Sequence, residues 1–162
     1  MKSQSALSIM AWGAREHARP LNGTSVGCAV FDQYQAIWHG CNIELEFRLG
    51  MHAEVSAISK MITTNPELKP TSLLIACPVT MFTPCGQCMD WIMQLGGSEC
   101  LVVHESAPGV PTVFKTAAEL MPFYPSRGLQ SRHGYREANN YRLRGVSGHV
   151  PGARRLQGRL NP

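Results

Sequence analysis

The chain has 162 residues, enough for one domain with a sizeable core plus an appendage and short for two domains. Its 44% hydrophobic content fits a globular protein, and no run reaches the roughly eighteen apolar residues of a membrane span, which excludes a membrane-spanning helical protein. The net charge of +4 is unevenly placed: from Arg127 onward eight arginines face one acid, Glu137, a net +7, so residues 1–126 carry −3.

In chain order, residues 3–17 have the spacing of an amphipathic helix, and the opening stretch has no sustained apolar h-region or cleavage site. The expectation is a cytoplasmic protein. SVGCAVFD (25–32) and AIWHGC (36–41) read as two strands joined by a short turn. Residues 52–64 follow as a helix, with Val55, Ala57, Ile58, Met61 and Ile62 at helical spacing. SLLIAC (72–77) is a continuous apolar run, the pattern of a central strand buried on both faces. A second helix spans about 85–95, with Thr83 suited to the N-cap, Pro84 to the first helical position and Gly96-Gly97 to the stop. CLVV (100–103) reads as a buried strand, TVFK (112–115) as an edge strand and TAAEL (116–120) as a short helix. Strands alternating with helices predict a three-layer α/β/α sandwich with a mixed five-stranded sheet over residues 1–126. Residues 127–162 read as an Arg/Gly-rich C-terminal extension.

Six cysteines, at 28, 41, 77, 85, 88 and 100, would permit three disulfides in a secreted protein. In a reducing compartment, cysteines inside apolar strands act as small core residues, whereas the Cys85-x-x-Cys88 pair calls for a metal or redox explanation. Three residues apart at the start of a helix, its two sulfurs share one face, where free N–H groups and the dipole favour thiolates. That is half of a tetrahedral zinc site, and His52, opening the other helix, offers a third ligand. Three protein ligands leave a fourth position for water, as in catalytic zinc sites, and Glu54 is placed to move protons there. Taken singly, each part has a plain structural reading: a helix-terminal histidine, a redox pair, a first-turn acid. Their combination at two helix starts favours the site.

His-x-Glu followed by Pro-Cys-x-x-Cys is the signature of zinc-dependent nucleobase deaminases. HAEVSAIS (52–59) with TPCGQC (83–88) resembles the cytidine deaminase family, in the branch that holds zinc by one histidine and two cysteines; GCNIE (40–44) extends the match. The resemblance implies that Asn42 and Glu44 grip the sugar, that the backbone at Ala53 and Thr83 reads the pyrimidine edge, and that Val55 accompanies a neutral histidine ligand. It also implies hydrolytic deamination of cytidine or deoxycytidine at C4, with Glu54 as proton shuttle, in a homo-oligomer, dimer or tetramer.

Over residues 20–125 the likeness has gaps. Thr24 stands where the family has an aromatic residue, the segment 42–52 is shorter, and the loosely similar MPFYPS (121–126) leaves Phe123 or Tyr124 as pocket candidates. These departures keep open a related substrate, such as a cytosine nucleotide or a cytosine nucleoside antibiotic. A nucleic-acid cytosine deaminase using the arginine-rich extension is disfavoured, because only Tyr135 and Tyr141 are there to stack on bases.

Overall fold

β5 (Pro70–Ala76) runs through the middle of a five-stranded sheet and explains most of the architecture around it. The computed structural model describes residues 2–21, 23–46 and 50–125. Side chains alternate across β5: Leu73 and Ile75 enter one core, Leu74 and Ala76 the other. Burial on both faces is why this segment reads as an unbroken apolar run.

The sheet order is β2-β1-β5-β6-β7, with β1 spanning Gly27–Asp32, β2 Ile37–Cys41, β6 Leu101–Ala107 and β7 Val110–Thr116. β5 and β6 are parallel; β1/β2, β1/β5 and β6/β7 are antiparallel, so the sheet is mixed as expected. Helix α1 (Lys2–Arg15) covers one face through Leu7 and Ala11, packed with Ala29, Phe31 and Leu74. Helices α2 (Ala53–Thr64) and α3 (Gly86–Leu95) cover the other through Ile58, Met61, Met89 and Ile92. Truncating one of these buried side chains to alanine costs on the order of 2–5 kcal/mol.

Two glycines let the helices approach. A Cβ on Gly27 would lie 2.0 Å from the Ala11 carbonyl oxygen, and one on Gly40 would lie 2.5 Å from Ser56 Oγ. α1 and α2 therefore lie directly on β1 and β2. The turn between those strands is organised by Asp32, whose Oδ1 accepts the backbone N–H of Tyr34 (2.8 Å) and Ala36 (3.0 Å) while Oδ2 accepts the Trp38 indole N–H at 2.9 Å.

Two local expectations are corrected. The N-cap of α3 is Cys85, extended at ψ 170°, rather than Thr83, and the first helical residue is Gly86 rather than Pro84. Cys85 has extended backbone and its side chain makes no cap to its own helix. β6 continues past residue 103 to Ala107, because the polar pair His104 and Glu105 that ends the apolar run is buried with partners. Between β2 and α2, β3 (Ile43–Glu44) pairs antiparallel with β4 (Gly50–Met51). Gly97, at φ 85°, receives the chain as α3 ends, and α4 (Ala117–Leu120) begins with a Thr116/Glu119 capping box. No helix among the described residues is long and apolar enough to cross a membrane. The arginine-rich extension lies outside the described residues.

Candidate active site

Two helix N-termini meet at the site. His52 caps α2 and Cys85 caps α3, both with extended backbone, and neither side chain caps its own helix. Their carbonyls accept the first helical bonds, from Ser56 N and Met89 N at 2.9 Å each, so the backbone is fixed while the side chains stay free. His52 Nδ1 lies 3.3 Å from both Cys85 Sγ and Cys88 Sγ, and the two sulfurs are 3.7 Å apart. Zinc at about 2.3 Å from each thiolate in a tetrahedron spaces two sulfurs about 3.8 Å apart. The donor set fits that ion in both type and spacing. It is a group of three side chains, His52, Cys85 and Cys88, whose ligand atoms lie within 4.8 Å of one another.

Burial, then the neighbouring Glu54 carboxylate and Cys85, push the Cys88 thiol well above its ordinary range. A cation bound there would reverse that preference and hold Cys88 as the thiolate.

Glu54 sits on the first turn of α2 and is 2% exposed. Its Oε1 has no hydrogen-bond partner, and burial raises its pKa against the opposing pull of a backbone hydrogen bond and His52. Glu54 and His52 line a cavity of about 250 Å³ with Ala53, Asn42 and Glu44. This volume is just below the ~300–1,000 Å³ of ordinary ligand pockets.

Asn42 is buried and fully engaged. Its Oδ1 accepts Val26 N–H at 2.8 Å, and its Nδ2 donates to Thr24 O at 3.1 Å and Glu44 Oε1 at 3.2 Å. Glu44 Oε2 accepts Leu21 N–H at 2.9 Å, tying the segment before β1 to the pocket rim. Thr83 is exposed and is not one of the lining residues.

The amino-terminal two-thirds of the chain, residues 1–104, matches the profile of the cytidine and deoxycytidylate deaminase zinc-binding region. The chain belongs to this deaminase family. Solved structures of similar shape include the cytidine deaminase of Mycobacterium leprae, 25% identical, covering 74% of this chain and 97% of that one with a TM-score of 0.64. The cytidine deaminase of Burkholderia pseudomallei is 26% identical, covering 73% and 95% with a TM-score of 0.64. That of Mycobacterium tuberculosis is 24% identical, covering 74% and 94% with a TM-score of 0.61. A search of curated proteins gives no match.

Within this deaminase-family pocket the sequence left two walls unnamed, Val26 and Phe82. Phe82 adjoins TPCGQC, so its position beside the motif was the available signal. Thr24, noted as a departure, also lines the pocket. Neither Phe123 nor Tyr124 does: Phe123 is 95% exposed, and the Tyr124 hydroxyl donates to Asp90 on α3.

Proposed function

We propose that the chain is a zinc-dependent hydrolytic deaminase converting cytidine or deoxycytidine to uridine or deoxyuridine and ammonia. The observation that carries this reading is Glu54, a buried carboxyl whose Oε1 has no partner, in a pocket beside three zinc-compatible donors. An unpaired buried acceptor costs about 1–3 kcal/mol, so a ligand atom is the natural partner for Oε1.

His52, Cys85 and Cys88 would hold the zinc, which supplies the Lewis acidity that makes water nucleophilic at neutral pH. Glu54 takes a proton from the attacking water and returns protons to N3 and to the departing amino nitrogen of cytosine. A C4–O bond forms, the C4–N bond breaks and ammonia leaves. Glu44 meets the sugar hydroxyls, with Asn42 holding its carboxylate and the pocket rim in place. The backbone at Ala53, which lines the pocket, reads the pyrimidine edge. All six cysteines are free, which supports a reducing, cytoplasmic setting. The exposed edge strand β7, with Val110 and Phe114 half exposed, supports a homo-oligomer, dimer or tetramer, which sedimentation would measure directly.

A second reading, deamination of a cytosine nucleotide or cytosine nucleoside antibiotic, is favoured by Thr24, whose short side chain lines the pocket. The test is ammonia release and ultraviolet change from zinc-loaded protein given cytidine, deoxycytidine, their monophosphates and a cytosine nucleoside antibiotic. Turnover of the plain nucleosides is expected. Activity on a modified or phosphorylated compound alone would replace the first reading by the second, and inactivity on all would remove both.

A further inference from the structure

Among the described residues, Phe82 is the one Phe, Tyr or Trp lining the pocket. It stands on the connection between β5 and α3, where residues 81–85 form no regular element and Met81 is 72% exposed. A wall on such a segment needs support from behind, and His104 supplies it. This imidazole, on β6, is fully buried on the same face of the sheet as Val102, in the core beneath the pocket. Its ring centroid is 5.8 Å from that of Phe82, with the planes tilted by 35°.

Two hydrogen bonds hold the imidazole. Nε2 lies 2.9 Å from the Cys77 carbonyl oxygen, and Nδ1 meets the Thr112 hydroxyl on β7. A carbonyl can only accept, so Nε2 carries the proton and Nδ1 accepts from Thr112. The same Cys77 carbonyl accepts Val79 N–H at 2.8 Å, closing the first turn of the connection. His104 therefore grips both the root of the connection, at Cys77, and its aromatic tip, at Phe82.

We propose that Phe82 is the aromatic wall against which the planar base of the substrate packs, and that His104 is the positioning residue that holds it there. This rests on the deaminase reading above. It assigns to the connection before α3 a stacking contact that Thr24, a pocket-lining residue without a ring, cannot give. Aromatic packing on a base is sequence-tolerant and affects binding, so its loss appears first in KM.

The test is a double-mutant cycle on cytidine turnover with F82A, H104L and the pair, alongside H104Q and zinc stoichiometry. F82A is expected to raise KM about tenfold or more, with kcat within about threefold and zinc retained. H104L raises KM several-fold in the wild-type background and less than about twofold in the F82A background, because its effect passes through Phe82. H104Q, which keeps an N–H for the Cys77 carbonyl, recovers part of the loss. An unchanged KM in F82A, or an H104L effect undiminished by F82A, overturns the proposal. A readout free of activity uses protein labelled with fluorophenylalanine, the residue-82 signal being identified by its loss in F82L. That signal shifts in H104L if His104 positions the ring, and an unmoved signal overturns the proposal even if the protein turns over nothing. Absence of turnover together with a shifted signal would sink the deaminase reading and the stacking role while leaving the positioning role standing.

Discussion

Glu105 on β6 accepts the indole N–H of Trp12 on α1 at 3.0 Å, joining residues 93 positions apart in the chain. The same Oε2 also accepts Ser8 Oγ at 2.6 Å and Gly109 N–H at 3.1 Å, so one carboxylate oxygen docks α1 and closes the β6–β7 turn. Removing it leaves three donors unpaired, two on α1 and one in the β6–β7 turn. Glu105→Ala is therefore expected to destabilise the protein by about 3 kcal/mol in urea unfolding, with Glu105→Gln costing less because its carbonyl still accepts. A loss below about 0.5 kcal/mol in the alanine variant would show that α1 is docked by its apolar face alone.

The contrast between Glu105 and Glu54 also shows what was legible in the sequence. Glu54 stood out because His52 lay two positions before it and a Pro-Cys-x-x-Cys lay downstream, a pattern with chemical meaning in one dimension. Glu105 and His104 had no such companions. Their partners, Ser8, Trp12, Cys77 and Thr112, come from α1, β7 and the connection after β5, so they read only as polar residues ending a strand. The sheet was readable for the same reason in reverse: the apolar runs of β1 and β5 are buried on both faces, and composition alone signals that. Helix starts were less readable. Thr83-Pro84 has good capping chemistry, yet Cys85 takes the cap, and no local propensity encodes a thiol turned toward a distant histidine.

Metal removal separates the site thiols from the core thiols. Stripping the protein with a chelator is expected to abolish turnover and to restore it on adding zinc. His52→Ala, Cys85→Ser and Cys88→Ser should each lower zinc affinity by more than the roughly 10–100-fold typical of losing an outer partner. Cys28→Ala and Cys100→Ala alter buried residues outside the donor group and should keep zinc at wild-type stoichiometry. Elemental analysis of the purified variants checks this, and zinc retained by Cys88→Ser would refute the donor set.

His104 gives the stability a defined pH dependence. Burial lowers its pKa from the ordinary 6.5, opposed by its bond to the Cys77 carbonyl and the nearby Glu105 carboxylate. Below pH 6.5 the unfolded chain takes up a proton that the folded chain still refuses, so stability falls as pH drops, until the folded-state pKa is passed. The slope attributable to one such group is at most about 1.4 kcal/mol per pH unit. Urea unfolding between neutral pH and pH 5 should show this decline, and His104→Gln should flatten it. An equal slope in the variant would assign the effect elsewhere.

Glu54→Gln tests the reading on which the proposed function depends. The amide keeps the shape of the carboxyl but cannot take a proton from water, so turnover should fall by about 100- to 10,000-fold. Zinc should remain, because His52, Cys85 and Cys88 are untouched. Stability should hold or rise: burial disfavours the charged form of Glu54, and its Oε1 is already without a partner, so a neutral side chain removes a penalty rather than a bond. These three outcomes discriminate between roles. A carboxyl serving only the fold would lose stability on substitution with little effect on rate, whereas a metal ligand would lose zinc. Near-normal turnover in a zinc-loaded Glu54→Gln protein would show that another group moves the proton, and the unpartnered oxygen would need a different explanation.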